Sequence, residues 1–117
     1  MTISDDKRLK DIQAEFSAKF PYLKIEFYMD AHGTGEGSPA RAQLDASKTI
    51  GEVRSIDSAG DLSIDGHKLV KTLENDFLEK YGLNVQVFRK SGDLWLQTTS
   101  TDDWSLTDQN RRGAPVA

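Results

Sequence analysis

The sequence predicts an α+β domain: a two-layer sandwich whose antiparallel sheet carries two main helices on one face, by internal duplication of a β-α-β-β(-α) unit. Segments of helical period alternate with segments of period two along the chain. The length of 117 residues suits one compact domain, 1–117, with copies at about 2–57 and 62–112 and a tail, 113–117, expected to be mobile. The third observation is the alignment of the halves. Thr2–Phe20 set above Ser63–Tyr81, a shift of 61 without a gap, gives five identities in 19 pairs: Ile3/Ile64, Lys7/Lys68, Lys10/Lys71, Phe16/Phe77 and Lys19/Lys80. Chance gives about one at average composition. One residue of slippage then lays Leu23–Tyr28 over Leu83–Phe88. Charge repeats as well: residues 1–60 hold 8 basic and 10 acidic groups and residues 61–117 hold 7 and 9, so each half is −2.

The first main helix is expected over about 5–20, with Ser4 as N-cap and Asp5 and Asp6 at the positive end of the dipole. Leu9, Ile12, Phe16 and Phe20 form its apolar stripe, and Pro21 ends it. The second is expected over about 67–81, starting near Asp65 or Gly66, with Leu69, Val70, Leu73, Phe77 and Tyr81 as its stripe. Gly82 supplies the left-handed residue of a Schellman close, with Leu83 folding back on Leu78. In the strands Leu23, Ile25, Phe27 and Met29 point one way, while Lys24, Glu26, Tyr28 and Asp30 point the other. Leu83, Val85 and Val87 match the first set; Asn84, Gln86 and Phe88 match the second. Ser91-Gly92 reads as a two-residue turn, which sets Phe88 opposite Trp95 and Gln86 opposite Gln97, with Leu94, Leu96 and Thr98 on the helix side. The corresponding strand of the first half is placed at Ala40–Ala46, with Ala42 and Leu44 inward. Gly60–Ile64 is a short strand opening the second half, its counterpart at Thr2-Ile3 frayed. Ser47 or Thr49 caps a short helix containing Ile50 and Val53, and Ser105 caps a second in a capping-box pattern with Asp108.

Most kinds of chemistry find no support in this composition. Zero Cys removes disulfides, thiolate catalysis and Cys-ligated zinc. A net charge of −4 opposes a phosphate-backbone binder, and Arg89, Lys90, Arg111 and Arg112 make only a small basic corner, so no nucleic acid is expected. No apolar run approaches the ~18 residues of a membrane span, and Met1–Asp6 lacks a secretory core, so no membrane partner and a cytoplasmic location are expected. The loop Ala31–Pro39 is Gly-rich but carries neither the Lys-Ser/Thr of a Walker loop nor G-x-G-x-x-G spacing, and Glu36 repels a pyrophosphate. It reads as a lengthened hairpin loop. His32 and His67 lie apart, and Asp102 and Asp103 are adjacent and point away from each other, so no metal, no cofactor and no catalytic residue is assigned. The expectation is that the chain is not an enzyme.

The outer sheet face remains. Tyr28 and Phe88 hold equivalent places in the halves, Trp95 joins Phe88, and Gln86 and Gln97 lie beside them. Three aromatics bury ~150 to 250 Å² each. If half of ~600 Å² is apolar area newly covered, ~25 cal/mol/Å² makes it worth about 7 kcal/mol. A cover is therefore expected: the C-terminal segment with Trp104 and Leu106 first, by locality, then a second copy of the chain or a partner. Tyr28, Phe88, Trp95, Gln86 and Gln97 are the expected partner-binding residues.

The order helix, strands, helix, hairpin, helix over most of 5–112 resembles the type III secretion chaperone-like group. No motif matches residue by residue, so no functional residues come with it. The resemblance implies a chaperone-like adaptor with a protein partner or self-association. The paired unit, Ile3–Ala46 and Leu62–Ser100, also resembles modules of small ligand-binding regulators, which implies the alternative of a small-molecule site in a groove between the copies. The run Gly82–Gly92 resembles small bacterial α+β proteins of uncharacterised role and implies no mechanism.

Overall fold

The computed structural model describes residues 1–28, 43–57 and 61–115. Its elements are β1 (Thr2–Ile3), α1 (Leu9–Lys19), β2 (Leu23–Tyr28), α2 (Ile50–Val53), β3 (Leu62–Ser63), α3 (Val70–Tyr81), β4 (Asn84–Ser91), β5 (Leu94–Gln97) and α4 (Leu106–Gly113). A 3-10 turn, Thr99–Thr101, separates β5 from α4. One antiparallel sheet has the order β2-β4-β5; β1 and β3 form a second, two-stranded ribbon. The α+β two-layer expectation holds. Leu9, Ile12 and Phe16 of α1, with Val70, Leu73, Phe77 and Tyr81 of α3, are buried against the inward set Leu23, Ile25, Phe27, Leu83, Val85 and Val87. Ile3, Leu62 and Ile64 extend this core to the ribbon, so Thr2-Ile3 is paired rather than frayed. Among the described residues no helix is long and apolar enough to cross a membrane.

Both main helices start later than their sequences suggest, and for one reason. Ser4 does not cap α1: its hydroxyl donates to Asp6 at 2.6 Å inside a turn closed by Lys7 N–H to Ser4 C=O. The residues preceding α1 and α3 are Arg8 and Leu69, neither with a side-chain cap. The first free N–H groups are satisfied by distant carbonyls instead. Leu9 and Lys10 donate to Lys48 and Ala46; Val70 and Lys71 donate to Trp104 and Asp102. In return Ile50 and Gly51 of α2 donate to Lys7 and Asp5, and Leu106 and Thr107 of α4 donate to Lys68 and Gly66. Each main helix is therefore interlocked, backbone to backbone, with the short helix that follows it. The short helices carry the side-chain caps. Thr49 and Glu52 form a full capping box, and Ser105 accepts from Asp108 N–H. The hydrogen bonds of Thr49 backbone and side chain hold the Glu52 carboxyl below the ordinary glutamate range.

Several hydrogen bonds recur between the halves. Lys7 Nζ donates to Thr2 C=O and Glu15, as Lys68 Nζ does to Ser63 C=O and Asp76, an offset of 61. Leu44 N–H donates to Phe27 C=O and Thr98 N–H to Val87 C=O. Thr2 lies across from Ser63, and Glu26 across from Gln86, each facing its own aligned counterpart.

Smaller features are corrected or confirmed locally. Gly82 is left-handed (φ +69°), and it and Leu83 donate to Leu78 and Phe77 C=O, the Schellman close expected. A Cβ at Gly82 runs into the Ser55 hydroxyl. The β4–β5 turn is Gly92-Asp93, not Ser91-Gly92: Ser91 faces Leu94, and Gly92 (φ +61°) supplies the positive φ that an Asp at this place resists. Of the strand expected at Ala40–Ala46, Gln43 bridges to Tyr28 and Leu44 packs against the core; Ala40–Ala42 lie outside the described residues, as do Met29, Asp30 and Gly60. The tail expected at 113–117 is shortened from its start. Gly113 closes α4 and Ala114 N–H donates to Arg111 C=O, whereas 116–117 are outside the described residues.

Amide exchange tests the interlock directly. The Leu9, Lys10, Val70 and Lys71 amides should exchange as slowly as those of the helix interiors; exchange at the rate of a free first turn would contradict it. Gly82→Ala should cost about 2 kcal/mol or more, from the left-handed backbone and the Ser55 contact, read from urea unfolding. Because the folded Glu52 carboxyl titrates below its unfolded value, its contribution is complete above the unfolded value and disappears as pH falls through the folded one. The stability difference between the parent chain and Glu52→Gln should therefore change only in that acid window, while an NMR titration finds Glu52 below the unfolded glutamate range.

Candidate interaction surface

On the outer face the register sets four rows: Tyr28 beside Asn84; Glu26 beside Gln86; Lys24 beside Phe88 and Gln97; Lys90 beside Trp95. The shifted turn keeps every side chain on its expected face, since it moves the pairing by two residues rather than one. It does change neighbours. Phe88 faces Gln97, Trp95 faces Lys90, and Gln86 faces Glu26 rather than Gln97. Phe88, Trp95 and Gln97 share one end of the face with Lys24, whose ammonium lies 5.2 Å from the Phe88 ring centre and 5.1 Å from that of Trp95. Lys90 approaches the Trp95 ring at 5.5 Å. Such contacts hold an ammonium against an aromatic face. Tyr28 stands at the opposite end, in the row bridged by Gln43.

The C-terminal segment does not cover these aromatics. Leu106 is buried in the core on the helix side, and the Trp104 ring lies between the guanidinium groups of Arg89 and Arg112, at 5.6 and 5.2 Å. Arg89 follows Leu83, Val85 and Val87 on the inward side of β4. A charged group there needs a partner, and α4 supplies one: Arg89 Nη1 donates to Gln109 Oε1 at 2.9 Å. Gln109 is fully buried, and its Nε2 donates to both the carbonyl and the hydroxyl of Thr101 at 2.7 Å. Asn110 Oδ1 accepts from Tyr22 N–H at 2.8 Å, completing the attachment of α4 to the sheet end.

Leu94 and Leu96 are also not where the alternation suggests. They are on the helix side of β5, yet 66% and 41% exposed, and Trp95 on the other face is 36% exposed. The main helices cover β2 and β4, and β5 projects past them. Only Thr98, just beyond the strand, is buried, with its N–H and hydroxyl both donating to Val87 C=O.

The two sheet edges differ in the same way. Along β2 the outward carbonyls are taken: Leu23 by Ser17 Oγ at 3.0 Å, Ile25 by Gln13 Nε2 at 3.0 Å, Phe27 by Leu44 N–H at 3.0 Å. Along β5, Thr98 bonds to Val87, so Leu96 and Leu94 face β4 and the N–H and C=O groups of Trp95 and Gln97 point outward. Among the described residues nothing bonds to them. An uncovered edge with apolar side chains on both faces is a site for strand pairing.

Among the described residues no group of three or more His, Asp or Glu is placed to hold a metal ion. His67 is exposed at a turn, and His32 and the loop Ala31–Pro39 lie outside the described residues. Comparison with known proteins finds no significant match among family models, curated proteins or solved structures. The surface is therefore read from its own geometry. The stack of Trp104 on two arginines escaped the sequence reading; its one signal is a charged Arg89 continuing an apolar inward series. Gln109→Ala leaves Arg89 and Thr101 C=O without their partner and should cost about 2 kcal/mol in urea unfolding, well beyond an exposed glutamine substitution.

Proposed function

We propose that this chain is a non-enzymatic protein-interaction module, an adaptor that takes up an extended segment of a partner along the free edge of β5. The observation that carries the reading is the contrast between edges: β2 is sealed by Gln13, Ser17 and Leu44, whereas β5 offers the outward groups of Trp95 and Gln97 between exposed Leu94, Leu96 and Trp95. Backbone pairing gives such a site affinity, and side-chain pockets on alternate residues give it preference. Phe88 and Gln97 continue the outer side of that site, with Lys24 held over the aromatics. The alternative, a ligand groove between the halves, draws less support, because Phe16, Phe77 and Tyr81 fill the space beneath β2 and β4. The recurrence of these hydrogen bonds in both halves supports descent of the halves from one unit by tandem duplication.

The test is an NMR titration with capped peptides of alternating valine and threonine. Amide shifts should concentrate at Trp95 and Gln97. Gln97→Pro, which removes an outward donor without touching the β4–β5 ladder, should abolish them. Self-association through the same edge would appear as a concentration-dependent dimer in light scattering that Gln97→Pro dissolves. A monomer indifferent to every extended peptide overturns the proposal.

A further inference from the structure

The cavity between the hairpin tip and the end of α4 has a character unlike the rest of the surface. It encloses about 410 Å³ and is lined by Tyr22, Arg89, Lys90, Ser91, Arg112 and Gly113, among others. Lys90 lines its rim but turns its ammonium to Trp95 on the outer face; the two guanidinium groups, of Arg89 and Arg112, lie with Trp104, and none of the described lining residues is acidic. That is unexpected in a chain of net charge −4. Some cations have carboxylate partners, as Lys7 with Glu15, Arg54 with Asp5, Lys68 with Asp76 and Arg111 with Asp108. Among the described residues Arg89 and Arg112 have none.

The packing also orients them. Trp104 lies against Arg89 and Arg112. Stacking occupies the face of a guanidinium and leaves its in-plane N–H donors available. Only one donor of Arg89 is engaged, by the neutral Gln109. The floor is fixed by a close approach that only glycine permits: a Cβ on Gly113 would fall 2.7 Å from Tyr22 Cβ and 3.1 Å from Arg89 Cγ. The carbonyl end of α4 opposes an anion, but it amounts to about half a charge against two.

We propose that this corner is a binding site for a small molecule bearing an oxyanion, a carboxylate or a phosphate, held by Arg112 with Arg89 behind it. Guanidinium groups match the geometry of both anions with paired N–H donors, and the volume suits a small metabolite rather than a polymer. The site is separate from the β5 edge, which lies on the other side of β4, and it stands or falls independently of partner binding there.

The experiment is a titration of the full chain with inorganic phosphate and with succinate at constant ionic strength made up with chloride. The readout is the Trp104 indole N–H and the arginine side-chain N–H resonances. Saturable shifts are expected, with a Kd on the order of 1 mM or tighter for at least one probe. Arg112→Gln, at an exposed position, should weaken binding about tenfold while leaving the melting temperature unchanged; Lys24→Gln and Lys90→Gln, both against Trp95 on the outer face, should leave binding as it is. Tighter binding of phosphate assigns a phosphate ligand, and tighter binding of succinate a carboxylate; either order supports the site. Shifts that track ionic strength alone, or that survive Arg112→Gln, overturn it.

Discussion

The exchange of backbone hydrogen bonds between each main helix and the short helix after it governs this architecture. Free helix N-termini need partners, and here they find them in carbonyls 31 to 39 residues away rather than in their own first residues. A side-chain cap would have fixed where α1 and α3 begin and nothing else. The exchange also fixes where the chain must return after the hairpin, and so places Trp104, Gln109 and Asn110 at the sheet end. The corner between α4 and β4 depends on that return.

The two halves share part of their hydrogen bonding, and function is proposed where they differ. Gln13 and Ser17 seal the outward carbonyls of β2; at the aligned positions stand Glu74 and Leu78, a carboxylate and an alkyl group that donate no hydrogen bond to a carbonyl. The hairpin of the second half then extends beyond the helices with apolar residues on both faces. One edge is finished by its own helix, and the other is left for something outside the described residues.

Much of this was legible in the sequence because it depends on local period. Alternation in Leu23–Tyr28 and Asn84–Phe88 separated inner from outer faces, and the stripes of α1 and α3 identified the core. Two things were not legible. The helix starts were misplaced because Ser4 and Asp65 have the chemistry of caps, whereas the true partners are backbone carbonyls that no side-chain signal announces. The cover of the outer aromatics was misassigned because proximity in sequence favoured Trp104, while Trp104 and Gln109 meet the half-buried Arg89 on the opposite face. Leu94 and Leu96 alternate as core residues should; only the reach of the helices, a tertiary property, leaves them in water.

The pairing of β2 with β4 bears on how the chain can form during vectorial synthesis. When residues 1–57 leave the ribosome, α1 and α2 can interlock, but the backbone groups of Lys24 and Glu26 have no β4 to meet and β1 has no β3. Neither ribbon closes until its second strand has been made, Leu62–Ser63 for β1 and Asn84–Ser91 for β2. The nascent first half is thus a template with an open flank, and the growing chain itself is the nearest strand able to close it.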